Sequence, residues 1–170
     1  GHGMMNIISA LEQSCDVFIY EVALKTGIRK IKDMAHRLGL GDVTGIGLPE
    51  EKQGIIPSHE WKLANQGRVW TPGETVVSSI GQGYVLATPL QLAVMTARLA
   101  NGKQAVAPRL VKSNGDAVPD FAPLDIDPYA LAIIREGMFE VMNGRFGTAR
   151  NYNLDRSLGG MAGKTGTVQV

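Results

Sequence analysis

The chain has 170 residues, with 17 Lys or Arg against 16 Asp or Glu, for a net charge of +1. So balanced a charge argues against a dedicated nucleic-acid binder. The single cysteine, Cys15, excludes an internal disulfide framework and a cysteine-rich zinc site. Hydrophobic residues at 44% exclude a disordered chain, and the length is that of one ordinary domain. Charged residues are sparse at 19%, and 21 glycines predict many tight turns and close backbone approaches.

No run of about 18 uninterrupted apolar residues exists, so nothing in the sequence reads as a membrane-spanning helix. The longest apolar region, Tyr84 to Ala100, is broken by Thr88, Pro89, Gln91, Thr96 and Arg98. Gly1-His2-Gly3-Met4-Met5 lacks the cationic flank and apolar core of a signal peptide. Any export signal or anchor is expected to lie outside this chain.

From Asn6 to Thr26, Ile7, Leu11, Phe18, Val22 and Ala23 recur at helical spacing, and Ser9 with Glu12 has the form of a capping box. Ser14-Cys15-Asp16 interrupts the stripe, because Ser and Asp compete for backbone hydrogen bonds, so two helices meeting there are at least as good a reading as one long helix. Gly27 is a stop signal. Ile28 to Leu38 reads as a second amphipathic segment closed by Gly39. Residues 39–73 carry too many Gly and Pro for long regular elements. Thr75 to Ile80 is expected to be a short buried strand. Thr88-Pro89-Leu90-Gln91 is a strong helix start, and the helix it opens is apolar nearly all round and expected to be central. Gln104 to Lys112 reads as an irregular strand broken by Pro108. Asp127-Pro128 opens a further helix to about Met142, closed by Asn143-Gly144. Gly159 to Val170 is glycine-rich, then strand-like. Helices with a few strands that do not alternate predict an α+β fold.

No metal or cofactor is expected. His2, His36 and His59 lack paired ligand spacing, and neither H-E-x-x-H nor C-x-x-C occurs. The run Gly159-Gly160-Met161-Ala162-Gly163-Lys164-Thr165 is not a nucleotide-binding loop. Position 158, where such a loop needs glycine, is Leu158, and a strand-like tail follows instead of a helix.

Lys164-Thr165-Gly166 fits a different element, the K-T-G of serine acyl-transferases that also use S-x-x-K and S-x-N. A cationic Lys beside hydroxyls supplies charge-assisted hydrogen bonds to a substrate carboxylate, and Gly lets a peptide lie along the strand. The tripeptide alone is weak, because Lys25-Thr26-Gly27 repeats it where a helix stop is the simpler reading. Ser14-Cys15-Asp16 would be the middle element, with Asp where Asn is usual; the plain alternative is an N-cap. The first element is missing: no Ser or Thr is followed by Lys three positions later, and no G-x-S-x-G elbow occurs.

With these elements the chain resembles the transpeptidase domain of class B penicillin-binding proteins, in particular the rod-elongation subgroup, where the middle element carries Asp. The resemblance covers nearly the whole chain. It rests on Ser14-Cys15-Asp16-Val17-Phe18, "GIGLPEEKQGIIPS" from Gly45, "PGETVVSSIGQGYVLATPLQLA" from Pro72, Gly147-Thr148-Ala149 and "AGKTGTVQV" from Ala162.

The resemblance implies the penicillin-binding-protein and serine β-lactamase type of fold, helices around an antiparallel sheet, incomplete here. Residues 1–170 would be a partial transpeptidase domain, a fragment starting after S-x-x-K and ending just after K-T-G, without membrane anchor or second domain. The implied activity is peptidoglycan D,D-transpeptidation through an acyl-serine intermediate on D-Ala-D-Ala stem peptides, with β-lactams acylating the same serine. Ser14 would relay a proton and Asp16 order the site. Lys164, Thr165 and Thr167 would hold the carboxylate, Gly166 would admit the peptide, and the Thr167 N–H would serve the oxyanion hole. Lacking the nucleophile, this chain is expected to be inactive alone. Implied partners are a SEDS-family glycan polymerase and elongation-complex scaffold proteins, at the periplasmic face of the inner membrane. A D,D-carboxypeptidase or β-lactamase type of hydrolase and a non-catalytic binding module stay open as alternatives.

Overall fold

The computed structural model describes residues 2–111, 120–154, 157 and 159–167. Along them run α1 (Ile7–Glu12), α2 (Asp16–Thr26), α3 (Ile28–Arg37), α4 (His59–Gln66), α5 (Pro72–Ser79), α6 (Pro89–Asn101) and α7 (Pro128–Asn143), then a 3-10 turn at Arg150–Tyr152. The chain forms two compact units, one of Gly1–Lys25 with Asp127–Val170 and one of Thr26–Ile126.

In the first unit, α1 and α2 separate at Ser14-Cys15, where the sequence places the break. The cap of α1 differs from the expected Ser9–Glu12 box. Asn6 is the N-cap, its Oδ1 accepting from the Ser9 N–H at 2.9 Å while Ser9 Oγ accepts from the Asn6 N–H at 3.0 Å. A short amide at the true helix boundary reaches these N–H groups better than a residue already inside the first turn. Glu12, freed from that role, accepts from the Phe146 N–H through Oε1 at 2.8 Å. Helix α7 begins as expected, Asp127 accepting from the N–H groups of Tyr129 and Ala130 with Pro128 at its first position. It packs on α1 where Gly137 leaves no room for a Cβ beside the Leu11 side chain. Val141, Met142 and Ala149 form a buried cluster at the end of α7, and Ala10 of α1 is fully enclosed.

The second unit corrects several expectations. Residues 75–79 are not a strand but the body of α5. Their β-branched run is overridden by a helix start, in which the Thr71 N–H and hydroxyl both donate to Glu74 Oε2, at 2.7 and 2.9 Å, and Pro72 opens the first turn. The 39–73 segment also holds a helix the glycine density concealed, α4, capped by Ser58 Oγ on the Trp61 N–H and ended by Gly67 at φ +63°. Its Lys62, almost fully buried, pairs with Glu74 at 2.5 Å. Burial raises the Glu74 carboxyl, but Lys62 and Thr71 together outweigh it and hold the group below its ordinary value.

Helix α6 starts at Thr88-Pro89 as expected, yet it is not enclosed on every side. Gln91 and Val94 are buried while Leu92 is exposed. The Gln91 amide is fully satisfied, its Nε2 donating to the carbonyls of Asp42 and Gln53 at 2.7 Å each and its Oε1 accepting from the Thr88 N–H. One fully enclosed amide thus ties the glycine-rich loop to the helix.

Among the described residues strand pairing is confined to two isolated antiparallel bridges, Ile55 with Leu86 and Gln104 with Pro123. Gly54 permits the first, since a Cβ there would meet the Leu86 carbonyl and sit 2.9 Å from Gln91 Oε1. The strand expected from Gln104 reduces to the second bridge, because Pro108 removes a ladder donor. The described part of the last segment, 159–167, is not assigned as strand, and its expected strand residues 168–170 lie outside the described residues.

Candidate active site

The break between α1 and α2 is built so that a hydroxyl stands at its apex. Cys15 N–H returns to the Ala10 carbonyl at 2.8 Å and Ser14 N–H to that of Leu11 at 3.2 Å, ending α1. Cys15 is buried beneath the turn. The reversal puts Ser14 at φ +50°, a left-handed conformation that costs a residue with a Cβ about 1–2 kcal/mol. Such a conformation persists where its surroundings hold it, and functional positions are the usual setting.

The surroundings here come from the far end of the chain. Lys164 Nζ donates to Ser14 Oγ at 2.5 Å and to Thr165 Oγ1 at 3.0 Å. Ser14 Oγ lies 3.4 Å from Thr165 Oγ1. The two short motifs read from the sequence, 150 positions apart, therefore meet at their polar atoms. Asp16, at the first position of α2, is exposed and acts on Lys164 through its charge. Burial of the ammonium lowers the Lys164 pKa, and the Asp16 carboxylate opposes that shift. Gly166 and Thr167 follow, both exposed, and a Cβ on Gly166 would meet nothing within 4 Å.

A third hydroxyl completes the group, and the sequence reading did not select it. Thr148 Oγ1 stands 3.3 Å from Ser14 Oγ and 3.3 Å from Thr165 Oγ1. Its backbone is fixed from two sides. The Thr148 N–H donates to the Glu12 carbonyl at 3.2 Å, and the neighbouring Ala149 N–H donates to that of Val141 at 3.1 Å. The available signal was its place in Gly147-Thr148-Ala149, but nothing local distinguishes it from any other threonine.

The second K-T-G copy behaves as a helix junction. Lys25 and Thr26 close α2, and Gly27, at φ +81°, leads into α3. Elsewhere, the second unit holds a cavity of about 230 Å³ bordered by His36, Asp42, Val94 and Arg98. Arg98 is anchored there on the carbonyls of Val106 and Arg37, a structural tie. Among the described residues, no three of His, Cys, Asp and Glu gather as a metal-ligand set.

Chemically, the cluster of one ammonium and three hydroxyls is an anion seat. The hydrogen-bond partners of Lys164 are the two hydroxyls and the Thr165 carbonyl, all neutral, so an anionic ligand would be drawn to its charge. The same contacts suit proton transfer, since a Lys of lowered pKa beside a serine hydroxyl is a proton acceptor and donor of adjustable strength.

Comparison with known proteins finds relatives along the whole chain. The peptidoglycan D,D-transpeptidase MrdA of Escherichia coli (strain K12) is 36% identical over 178 residues, covering 100% of this chain and 28% of that protein. MrdA of Acinetobacter baumannii is 37% identical over 181 residues, covering 100% of this chain and 26% of that protein. The chain thus spans less than a third of the curated relatives it matches. Among solved structures, Pseudomonas aeruginosa PBP2 in complex with WCK 5153 superposes with a TM-score of 0.81 at 38% identity, over 89% of this chain and 34% of that one. Helicobacter pylori PBP2, solved in complex with MreC, gives 0.78 at 36% identity, over 89% of this chain and 28% of that one. The penicillin-binding protein transpeptidase domain model matches residues 1–170, and the chain belongs to that family.

Proposed function

We propose that these residues form the substrate-binding half of a peptidoglycan D,D-transpeptidase of the rod-elongation type, and that they are part of a longer transpeptidase domain. The observation that carries the reading is the contact of Lys164 Nζ with Ser14 Oγ at 2.5 Å and Thr165 Oγ1 at 3.0 Å. It joins the middle and third elements of a serine acyl-transferase site, and the likeness to MrdA proteins supports the same assignment.

In this reading the terminal carboxylate of a D-Ala-D-Ala stem peptide sits on the Lys164 ammonium and the hydroxyls of Thr165 and Thr167. A serine supplied from elsewhere in the protein attacks the penultimate carbonyl and D-Ala leaves. The acyl group then passes to an amine of a neighbouring strand. Ser14 carries the proton between Lys164 and the reacting atoms, Asp16 holds up the charge on Lys164, and the Thr167 N–H stabilises the oxyanion. The open space over Gly166 admits the peptide backbone, and the complete domain carries helices around an antiparallel sheet. β-Lactams, which carry a carboxylate beside a strained amide, enter by the same contacts. The protein works at the periplasmic face of the inner membrane. The MreC complex of Helicobacter pylori PBP2, and a related peptidoglycan synthase complex that coordinates polymerisation and crosslinking, support a scaffold and a SEDS-type polymerase as partners.

Fluorescent penicillin tests this directly. The complete domain labels stoichiometrically, and Lys164→Ala lowers the rate at least about tenfold, as expected for loss of a charge-assisted hydrogen bond. The 170-residue chain, with no Ser or Thr three positions before a Lys, does not label. Stoichiometric labelling of that chain would overturn the assignment. Release of D-Ala without cross-linked product would make the enzyme a hydrolase instead.

A further inference from the structure

We infer that Thr148 is a positioning residue of the active site, the common acceptor that sets the direction of the Ser14 and Thr165 hydroxyl protons. This rests on the proposed transpeptidase reading and adds a residue that none of its three motifs contains.

A lysine ammonium has three N–H donors and no lone pair. Because it donates to both Ser14 Oγ and Thr165 Oγ1, neither hydroxyl can aim its own proton back at Nζ. Each proton needs another acceptor. The two hydroxyls lie 3.4 Å from one another, whereas Thr148 Oγ1 stands 3.3 Å from each, with two lone pairs. Of the three hydroxyls, Thr148 Oγ1 is the one placed to accept from both others at once. With those two protons directed at it, its own O–H points away from both of these hydroxyls.

The fold holds Thr148 in that position independently of the motif residues. Its N–H is fixed on the Glu12 carbonyl at 3.2 Å, in the last turn of the helix that ends beside Ser14. Ala149, buried, is fixed on the last turns of α7. The hydroxyl is thus delivered to the site by backbone bonds from α1 and α7, while Ser14 comes from the α1–α2 break and Lys164 from the chain's end. When Lys164 has lost a proton to solvent, its neutral nitrogen is an acceptor, and the Ser14 O–H can swing from Thr148 to Nζ. Thr148 is then the resting partner of the proton that Ser14 relays.

The test uses the complete penicillin-binding domain, with Thr148→Val and Thr148→Ser, beside Lys164→Ala. Val keeps the shape and removes the hydroxyl; Ser keeps the hydroxyl. Fluorescent-penicillin acylation is followed from pH 6 to 10, with thermal unfolding alongside. The expected result is a loss of about tenfold or more in acylation for Val, at an unchanged unfolding temperature, and recovery to within a few-fold for Ser. The alkaline limb of the Val profile moves to lower pH, because hydroxyls without their acceptor hold the ammonium less well. Two results overturn the inference while leaving the transpeptidase reading intact. One is Val acylating at the wild-type rate while Lys164→Ala is impaired. The other is Val and Ser failing equally with lowered unfolding temperatures. Full activity of both Thr148→Val and Lys164→Ala overturns both.

Discussion

Replacement of Gly147 by alanine tests how the fold delivers the site. A Cβ at this position would lie 2.6 Å from the Glu140 carbonyl oxygen and 2.9 Å from the Val141 carbonyl carbon. Both atoms are main chain at the end of α7, so no side-chain rotation relieves the contact. Ordinary contact begins at 3.4 Å, and the Val141 carbonyl oxygen is nearer still, so the 147–149 turn must move about 1 Å from α7. That motion stretches the Ala149 N–H bond to Val141 and the Thr148 N–H bond to Glu12, at 3.1 and 3.2 Å. Overpacking against rigid neighbours costs about 3 kcal/mol. At a urea dependence of about 2 kcal/mol/M, the unfolding midpoint of the complete domain should fall by about 1.5 M. Because Thr148 moves with the turn, penicillin acylation should fall about 10- to 100-fold, the usual consequence of misplacing a site group by up to 1 Å. Urea titration followed by tryptophan fluorescence and a stopped-flow acylation assay read the two effects. A midpoint within about 0.2 M of wild type, the resolution expected of such titrations, with an unchanged acylation rate, would refute the reasoning.

Two further substitutions separate strain and charge at the site itself. Ser14→Gly and Ser14→Ala both remove the hydroxyl, but only Gly relieves the φ of +50°. In denaturant titrations the Gly variant should be the more stable of the two by about 1 kcal/mol, with both impaired in acylation. Asp16→Asn removes the charge that raises the Lys164 pKa against the lowering effect of burial. Lys164 should then lose its proton at lower pH than in the wild type, seen in a carbon-13 titration of its Cε. An unchanged or higher titration point would contradict the assignment of Asp16.

Where local chemistry decides, the sequence was a sufficient guide. Ser14-Cys15-Asp16 marked the α1–α2 break, and Thr88-Pro89 and Asp127-Pro128 marked two helix starts, because caps act through the nearest backbone N–H groups. Local signals also compete, and at residues 75–79 the β-branched run lost to the Thr71–Glu74 start. The 159–167 stretch and the Gln104 segment show a different limit. Strand structure depends on a partner for its ladder, which composition alone does not supply.

The site divides in the same way. Ser14, Asp16, Lys164 and Thr165 were legible as motif chemistry, and Lys25-Thr26-Gly27 showed that the tripeptide needs its partner to mean anything. Thr148 was not legible, because its role exists only through contacts spanning 134 positions to Ser14 and 17 to Thr165. An ordinary threonine joins a site when the fold brings it to the site's hydroxyls.

The central claim is that Ser14 and Lys164 act as one unit. A double-mutant cycle in the complete domain measures this, with Ser14→Ala, Lys164→Ala and the double variant compared by the rate of penicillin acylation. Residues that act together through a 2.5 Å contact should be strongly non-additive, the double variant falling little below the worse single one. Losses that simply multiply would mean the two motifs work separately, and would contradict the account.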